Sequence, residues 1–133
     1  MAFVPTIGIT MGDPCGVGAE IIVKALAEPA LRHRARFIVF GLCEQLEYVA
    51  DELELTFEFH RDRHEGIRRY DQGLVVLDYD ELDMPTAMPR GASKQGGQIS
   101  MAFCLDAIAA AKAGLIDAIV TAPISKTSWH LAG

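Results

Sequence analysis

The chain is 133 residues long, half of them apolar, with three cysteines and a formal charge of −6. That is the size of one compact domain able to build a core without cross-links, and an acidic balance with scattered Lys and Arg excludes the clustered basic footprint of a nucleic-acid binder. No apolar run reaches membrane-spanning length, and an odd cysteine count without a C-x-x-C spacing, with no charged start and apolar signal core, predicts a reducing, cytoplasmic setting.

Thr6–Thr10 reads as a strand that runs into Gly12-Asp13-Pro14-Cys15-Gly16-Val17-Gly18-Ala19-Glu20. A helix follows from about Gly18 to Ala27, with Ile21, Ile22, Ala25 and Leu26 on one side and a favourable Glu20/Lys24 pair at i,i+4. A Gly-rich turn between strand and helix points helix N–H groups at a ligand, at the carboxyl edge where open α/β sheets place their sites. In this reading Asp13 caps the helix and Pro14 takes its first position, while Gly16 and Gly18 permit positive φ or close approach. The spacing excludes the dinucleotide fingerprint and the P-loop, because three residues separate Gly12 from Gly16 and no Lys-Ser/Thr pair follows. On the turn alone, a ligand cradle and a structural helix cap are both open.

Further strands are predicted at Arg36–Gly41, Thr56–His60, Leu74–Asp78 and Asp117–Thr121, and further helices at Cys43–Glu52 and Gly96–Ala113. The last helix carries Ile99, Ala102, Phe103, Leu105, Ile108 and Ala109 and is expected to be buried over most of its circumference. Phe37-Ile38-Val39-Phe40 and Ala118-Ile119-Val120 are continuous apolar runs, the mark of a parallel sheet covered on both faces. Strands alternating with helices then predict a doubly wound, mostly parallel α/β sandwich. The basic cluster His60-Arg61-Asp62-Arg63-His64 with Arg68-Arg69 is broken by acids and reads as a solvated loop and helix face, a phosphate-contacting patch being the alternative. Asp78–Gln95, with Pro85, Pro89 and Gly91, reads as a long surface loop.

The last strand ends in Thr121-Ala122-Pro123-Ile124-Ser125-Lys126, a turn followed by a helix start that Ser125 is placed to cap. In a parallel sheet all carboxyl ends share one edge, so this turn and Gly12–Gly18 are expected to face one crevice. Thr121 offers a hydroxyl and Lys126 a compact positive charge, suited to a phosphate or carboxylate. A helix cap beside a surface lysine is the alternative.

Ile9–Glu20, Gly91-Ala92-Ser93-Lys94-Gln95-Gly96-Gly97 and Asp117–Lys126, in that order over essentially the whole chain, resemble the 4-hydroxythreonine-4-phosphate dehydrogenase family of vitamin B6 biosynthesis. The resemblance implies one lobe of an isocitrate/isopropylmalate dehydrogenase-like fold, in which two α/β lobes flank a cleft and a homodimer completes the sites. It implies NAD-dependent oxidation of the secondary hydroxyl of 4-hydroxythreonine 4-phosphate, then decarboxylation to 3-amino-2-oxopropyl phosphate. A divalent metal (Zn, Mg or Co) would polarise the alkoxide and then the ketone. Gly12, Asp13 and Gly16 are then expected to shape the cleft floor, with Thr121 and Lys126 approaching substrate or cofactor.

Cys15 stands where that family has a small alanine and Ala19 where it has proline. Cys15 is expected to be a buried small side chain, a reactive thiol beside a helix N-terminus being the alternative. The family's sequence continues past the position of Gly133 with a Gly-His-Thr-Glu segment and a second lobe, which carry the metal histidines and a substrate-binding His-Thr pair. The resemblance therefore assigns no catalytic or metal-binding residue to residues 1–133, taken as an amino-terminal lobe, and implies that they are inactive alone. His33, His60, His64 and His130 match none of those positions and are expected to be surface or loop histidines. Two other readings stand beside it. Ile21–Leu26 and Thr121-Ala122-Pro123 resemble equally a branch acting on 4-phospho-threonate or 4-phospho-erythronate, and a lone lobe can bind a phosphate-bearing ligand or partner subunit without chemistry.

Overall fold

The computed structural model describes residues 3–82 and 90–133. Strand β1 (Thr6–Thr10) leads through α1 (Gly18–Leu26) and a one-turn α2 (Pro29–Arg32) to β2 (Arg36–Gly41). Helix α3 (Cys43–Glu52) then leads to β3 (His60–Arg63), and a 3-10 turn at His64–Gly66 to β4 (Leu74–Asp78). Finally α4 (Lys94–Lys112) precedes β5 (Ala118–Thr121) and α5 (Lys126–Ala132). The strands form one parallel sheet in the order β3-β4-β2-β1-β5.

This order explains the layering. The β1→α1→β2 and β2→α3→β3 crossovers step towards one side of the sheet, whereas β4→α4→β5 steps back past β2 and β1 to the other. Right-handed crossovers in opposite directions place their helices on opposite faces. In agreement, α1 packs on α3, while α4 packs on α5 and on β1, β2 and β5. The sheet is thus covered on both faces at β2 and β4, where Phe37–Phe40 and Leu74–Leu77 are buried as unbroken runs. Ile22, Val23 and Leu26 of α1, Leu46 of α3 and Phe103 of α4 complete that core. The expected doubly wound α/β architecture is the one observed.

Several local expectations are corrected. The third strand lies at His60–Arg63 and not Thr56–His60, because ladder pairing with β4 begins only where His60 meets Val75. Phe57 and Phe59 still pack on the core as a tilted pair 5.5 Å apart, which supplied the apolar signal, but outside the ladder. The basic cluster is consequently an edge strand and a 3-10 turn, not a loop and helix face. Its charges are paired: Arg61 with Asp78 at 2.7 Å, Arg63 with Asp80 at 3.4 Å and Arg68 with Asp62 at 2.9 Å.

Helix α1 buries Ala19, Ile22, Val23 and Leu26 and exposes Ile21 and Ala25, a rotation of the expected face. Helix α4 is not buried all round: Ile99, Phe103, Ala107 and Ala110 face the sheet, while Leu105 (57 % exposed) and Ile108 (45 %) face outwards. Strand β5, an outer strand of the sheet on which α4 packs, is exposed at every position, against the expectation of cover on both faces. Helix α4 also starts earlier than expected, at Lys94, since Ser93 caps it by accepting the Gly96 N–H at 2.9 Å. That shortens the expected 78–95 loop at its far end, and its Pro85 and Pro89 lie outside the described residues.

Candidate functional site

The two strand-to-turn junctions do meet. β1 and β5 are neighbours, with Thr10 opposite Thr121, so the chain leaving each strand runs beside the other. The pairing continues past the strands, with Ala122 N donating to Thr10 O at 3.0 Å and Asp13 N to Pro123 O at 3.2 Å. Met11 N donates to Phe40 O at 2.9 Å, which ties the junction to β2. Two glycines make this proximity possible. Gly12 has φ of +79°, and a Cβ there would run into the carbonyl oxygens of Pro123 and Ala122. At Gly18 a Cβ would collide with the Met11 carbonyl oxygen, so α1 can enter directly behind β1 only with glycine at its start.

Asp13 is the centre of the turn and is 4 % exposed. It does not cap α1 as expected, nor is Pro14 that helix's first residue, because α1 begins only at Gly18, after Val17. Asp13 Oδ1 instead accepts the Cys15 N–H at 2.9 Å, and its carbonyl accepts the Gly16 N–H at 2.9 Å. These internal bonds close residues 13–16 into a compact loop and use two N–H groups that the sequence reading offered to a ligand. Pro14 O in turn accepts Gln45 Nε2 at 2.8 Å, which fastens the loop to α3. The carboxylate also lies against the first turn of α4, where a side chain at Gly96 would strike Asp13 Oδ1. Asp13 Oδ2 is buried without a hydrogen-bond partner, an arrangement costing about 1–3 kcal/mol and of the kind that collects at functional sites.

Around Asp13 the starts of α4 and α5 are linked by serines. Ser93 N donates to Ser128 Oγ at 2.9 Å, and Ser128 N donates to Ser125 Oγ at 3.0 Å, Ser125 being the α5 cap as expected. Trp129 Nε1 donates to Ser100 Oγ at 2.8 Å and locks α5 against α4. Cys15 Sγ lies 3.5 Å from Ser93 Oγ. Burial, reinforced by the Asp13 carboxylate, pushes the Cys15 thiol above its usual pKa in spite of Ser93. That is the buried side chain expected, and the opposite of what a thiolate nucleophile needs.

Of the five residues singled out in the sequence, Gly12 and Asp13 are buried at the junction, and Gly16 is exposed on its outer side. Thr121 and Lys126 are exposed at the end of β5 and the start of α5, on the same edge. Lys126 makes no ion pair among the described residues, unlike Arg61, Arg63 and Arg68. A divalent metal does not fit this group of residues. The group offers one carboxylate, Asp13, whose Oδ1 is bonded to the Cys15 N–H, and its other neighbours are serine hydroxyls and a thiol whose pKa is raised, too few anionic ligands for such an ion. An open groove of about 560 Å³ between α3 and residues 55–61 is a poorer place for a phosphorylated ligand, since Glu47, Asp51 and Glu58 outnumber Arg61 there.

The sequence reading missed two sites of polar density on the same edge. Asp78, ending β4 and largely buried, accepts the Cys43 N–H at 3.0 Å and so caps α3 from across the sheet, while also pairing with Arg61. His64 is not a plain surface histidine: its side chain is 19 % exposed and its ring lies flat on Tyr79, centroids 3.9 Å apart. Neither has a short-range signal, because the partners of Asp78 come from the start of α3 and from β3, and those of His64 from the turn after β4 and from α4.

Residues 33–133 match the family described as "Pyridoxal phosphate biosynthetic protein PdxA". A 4-hydroxythreonine-4-phosphate dehydrogenase of Synechococcus sp. (strain JA-2-3B'a(2-13)) is 35 % identical over 133 residues, covering 97 % of this chain and 36 % of the relative. A D-threonate 4-phosphate dehydrogenase of Salmonella typhimurium is 35 % identical over 130 residues, covering 96 % and 39 %. The crystal structure of a 4-hydroxythreonine-4-phosphate dehydrogenase from Burkholderia phymatum superposes with a TM-score of 0.82 at 34 % identity, over 99 % of this chain and 40 % of that one. The chain thus spans well under half the length of these relatives. With the parallel sheet and the Gly12 and Thr121 junctions in place, the match assigns the fold and lineage together: the chain belongs to the PdxA family of dehydrogenases.

Proposed function

We propose that this chain supplies one wall of the active-site cleft of an NAD-dependent dehydrogenase that oxidises 4-hydroxythreonine 4-phosphate and decarboxylates the product to 3-amino-2-oxopropyl phosphate. The observation carrying the proposal is the cross-bonded pair of junctions, Gly12–Gly18 and Thr121–Lys126, on one carboxyl edge with Thr121 and Lys126 exposed beside them. In the reaction a hydride passes from the carbinol carbon to NAD and the hydroxyl proton leaves; carbon dioxide then departs from the resulting 3-oxo acid, and the enolate left behind takes up a proton on carbon to give the ketone. A divalent metal (Zn, Mg or Co), held by residues outside these 133, supplies polarisation of the developing alkoxide and ketone.

Within this chain, Gly12, Asp13 and Gly16 hold the cleft floor in shape through the loop's internal hydrogen bonds. Lys126 attracts the phosphate or carboxylate as a point charge and Thr121 donates or accepts a hydrogen bond. The second lobe and a partner subunit complete the site of a cytoplasmic homodimer. Relatives named for threonine-type and for threonate-type phosphates are equally similar here, so 4-phospho-threonate is the competing substrate.

The test pairs two proteins. The 133-residue chain is expected to give no NADH with 4-phosphooxy-threonine, NAD and Zn²⁺ or Mg²⁺. A full-length protein carrying this sequence is expected to turn over, with KM for the phosphorylated substrate rising about tenfold or more in Lys126→Ala. Robust turnover by the 133-residue chain, or an unchanged KM in Lys126→Ala, would overturn the reading. Faster turnover of 4-phospho-threonate would move it to the other branch.

A further inference from the structure

On the same carboxyl edge but beside the other outer strand, β3 instead of β5, the chain leaving β3 and the turn after β4 bring three metal-ligating side chains together. His64 Nε2 lies 2.9 Å from Glu65 Oε1 and 2.5 Å from Glu81 Oε1. The donor atoms of all three residues fall within 4.8 Å of one another. Ligand atoms about 2.0–2.2 Å from a shared tetrahedral ion lie roughly 3.3–3.6 Å apart, so the glutamate side chains need swing outwards by only about 1 Å to admit one.

The histidine is held for the purpose. Its ring stacks on Tyr79 with an interplanar angle of 5°. Tyr79 is itself buried, donates its hydroxyl to Asp106 at 2.6 Å and meets the edge of Phe103 at 4.9 Å. The other ring nitrogen, Nδ1, faces the same Asp106 carboxylate at 3.5 Å. Asp106 is thus placed to accept the Nδ1 proton in a hydrogen bond when Nε2 coordinates an ion, the arrangement found behind metal-bound histidines. Without an ion, Nε2 and Glu81 Oε1 share a hydrogen bond, and a divalent ion would take that proton's place between the imidazole and the two carboxylates. The arginines of β3 do not take that place, since Arg61 is paired with Asp78 and Arg63 with Asp80.

We infer that His64, Glu65 and Glu81 form a divalent transition-metal site of the zinc class, with water completing the coordination. One imidazole and two carboxylates suit zinc, cobalt or nickel, whereas magnesium has little preference for an imidazole ligand. The ion ties the end of β3, an edge strand, to the turn after β4 and, through Asp106, to α4. The site is independent of the proposed dehydrogenase chemistry and stands or falls separately from it.

The test is titration of metal-free 133-residue protein, under reducing conditions, with ZnCl₂ by calorimetry and with CoCl₂ by visible absorption. One equivalent is expected to bind, with affinity falling at least tenfold in His64→Gln and in the Glu65→Gln/Glu81→Gln double variant. The two glutamates are largely exposed, so the double variant keeps the fold even if His64→Gln loosens the stack on Tyr79. Zinc is also expected to raise the melting temperature of the parent and not of the double variant. Cys104→Ser and His130→Gln should bind as the parent does. No binding at millimolar zinc, or binding unchanged in the double variant, would overturn the inference.

Discussion

Replacing Gly12 by alanine is a direct test of how the two junctions are held. The residue sits at φ +79°, where an L side chain costs about 1–2 kcal/mol. Its Cβ would also overlap the Pro123 carbonyl oxygen and lie 2.9 Å from that of Ala122, and these are backbone atoms that no rotamer change can move. Relief requires the turns to separate, which loosens the Asp13 N to Pro123 O and Ala122 N to Thr10 O bonds, at about 1 kcal/mol each. The sum is about 3–4 kcal/mol, a large part of the roughly 5–15 kcal/mol that stabilises a domain. Gly16→Ala is the control, because its nearest neighbour would be Asp13 O at 3.3 Å and its φ is not positive. Urea unfolding followed by circular dichroism should place the Gly12→Ala midpoint roughly 2 M below the parent for an m near 1.5 kcal/mol/M. Its melting temperature should fall by about 10–20 °C. Gly16→Ala should stay within about 0.5 kcal/mol. A Gly12→Ala protein within about 1 kcal/mol of the parent, or equal losses in both variants, would show that the junctions are not held by this contact.

Asp78→Ala should cost about 2–3 kcal/mol, mostly from the buried Cys43 N–H left without its acceptor, since Arg61 is half exposed and its pairing is screened. Asp78→Asn, which keeps an acceptor, should recover more than half of that in the same urea assay. Stability should also decline in alkali. Burial, with Asp78 nearby, pushes the Cys43 thiol from 9.0 up to about 12, so the unfolded chain releases this proton first. The contribution is complete below pH 9 and is lost as pH rises towards 12. Buried Tyr79 is displaced in the same direction, chiefly by burial and its bond to Asp106. Cys43→Ala should therefore flatten the fall between pH 8 and 10.5 only in part, and a parent whose stability is level over that range would refute the assignment.

The architecture was legible because its signals are local and strong. Unbroken apolar strands at Phe37–Phe40 and Leu74–Leu77 have few alternatives to a sheet covered on both faces, and the cap Ser125 announces its helix within three residues. The errors share a cause. Apolar sequence at Leu105, Ile108 and Ile119–Val120 says that a residue favours burial, not whether these 133 residues provide a neighbour to bury it. Phe57 and Phe59 marked a strand because both pack inwards, yet hydrogen-bond register with β4 decided where the ladder lies. At the site, the positions of Gly12, Thr121 and Lys126 followed from parallel topology. The role of Asp13 did not, because an aspartate before Pro-Cys-Gly can cap a helix or close its own loop, and only the late start of α1 distinguishes the two. The histidine cluster was out of reach for a simpler reason: Glu81, Tyr79 and Asp106 are distant in sequence from His64.

The two margins of the sheet are unequal in a way that bears on handling the protein. The β3 margin presents Arg61, Asp62 and Arg63, and a strand approaching it must desolvate charges that are already paired within the molecule. The β5 margin presents Ala118-Ile119-Val120-Thr121, without a charge, proline or bulge to turn an incoming strand away. Open main-chain groups on such a strand act as a template for further pairing. Sheet growth is thus directional, blocked at one margin and open at the other. The substitution Val120→Lys, at an exposed position, is accordingly expected to lower self-association measured by light scattering.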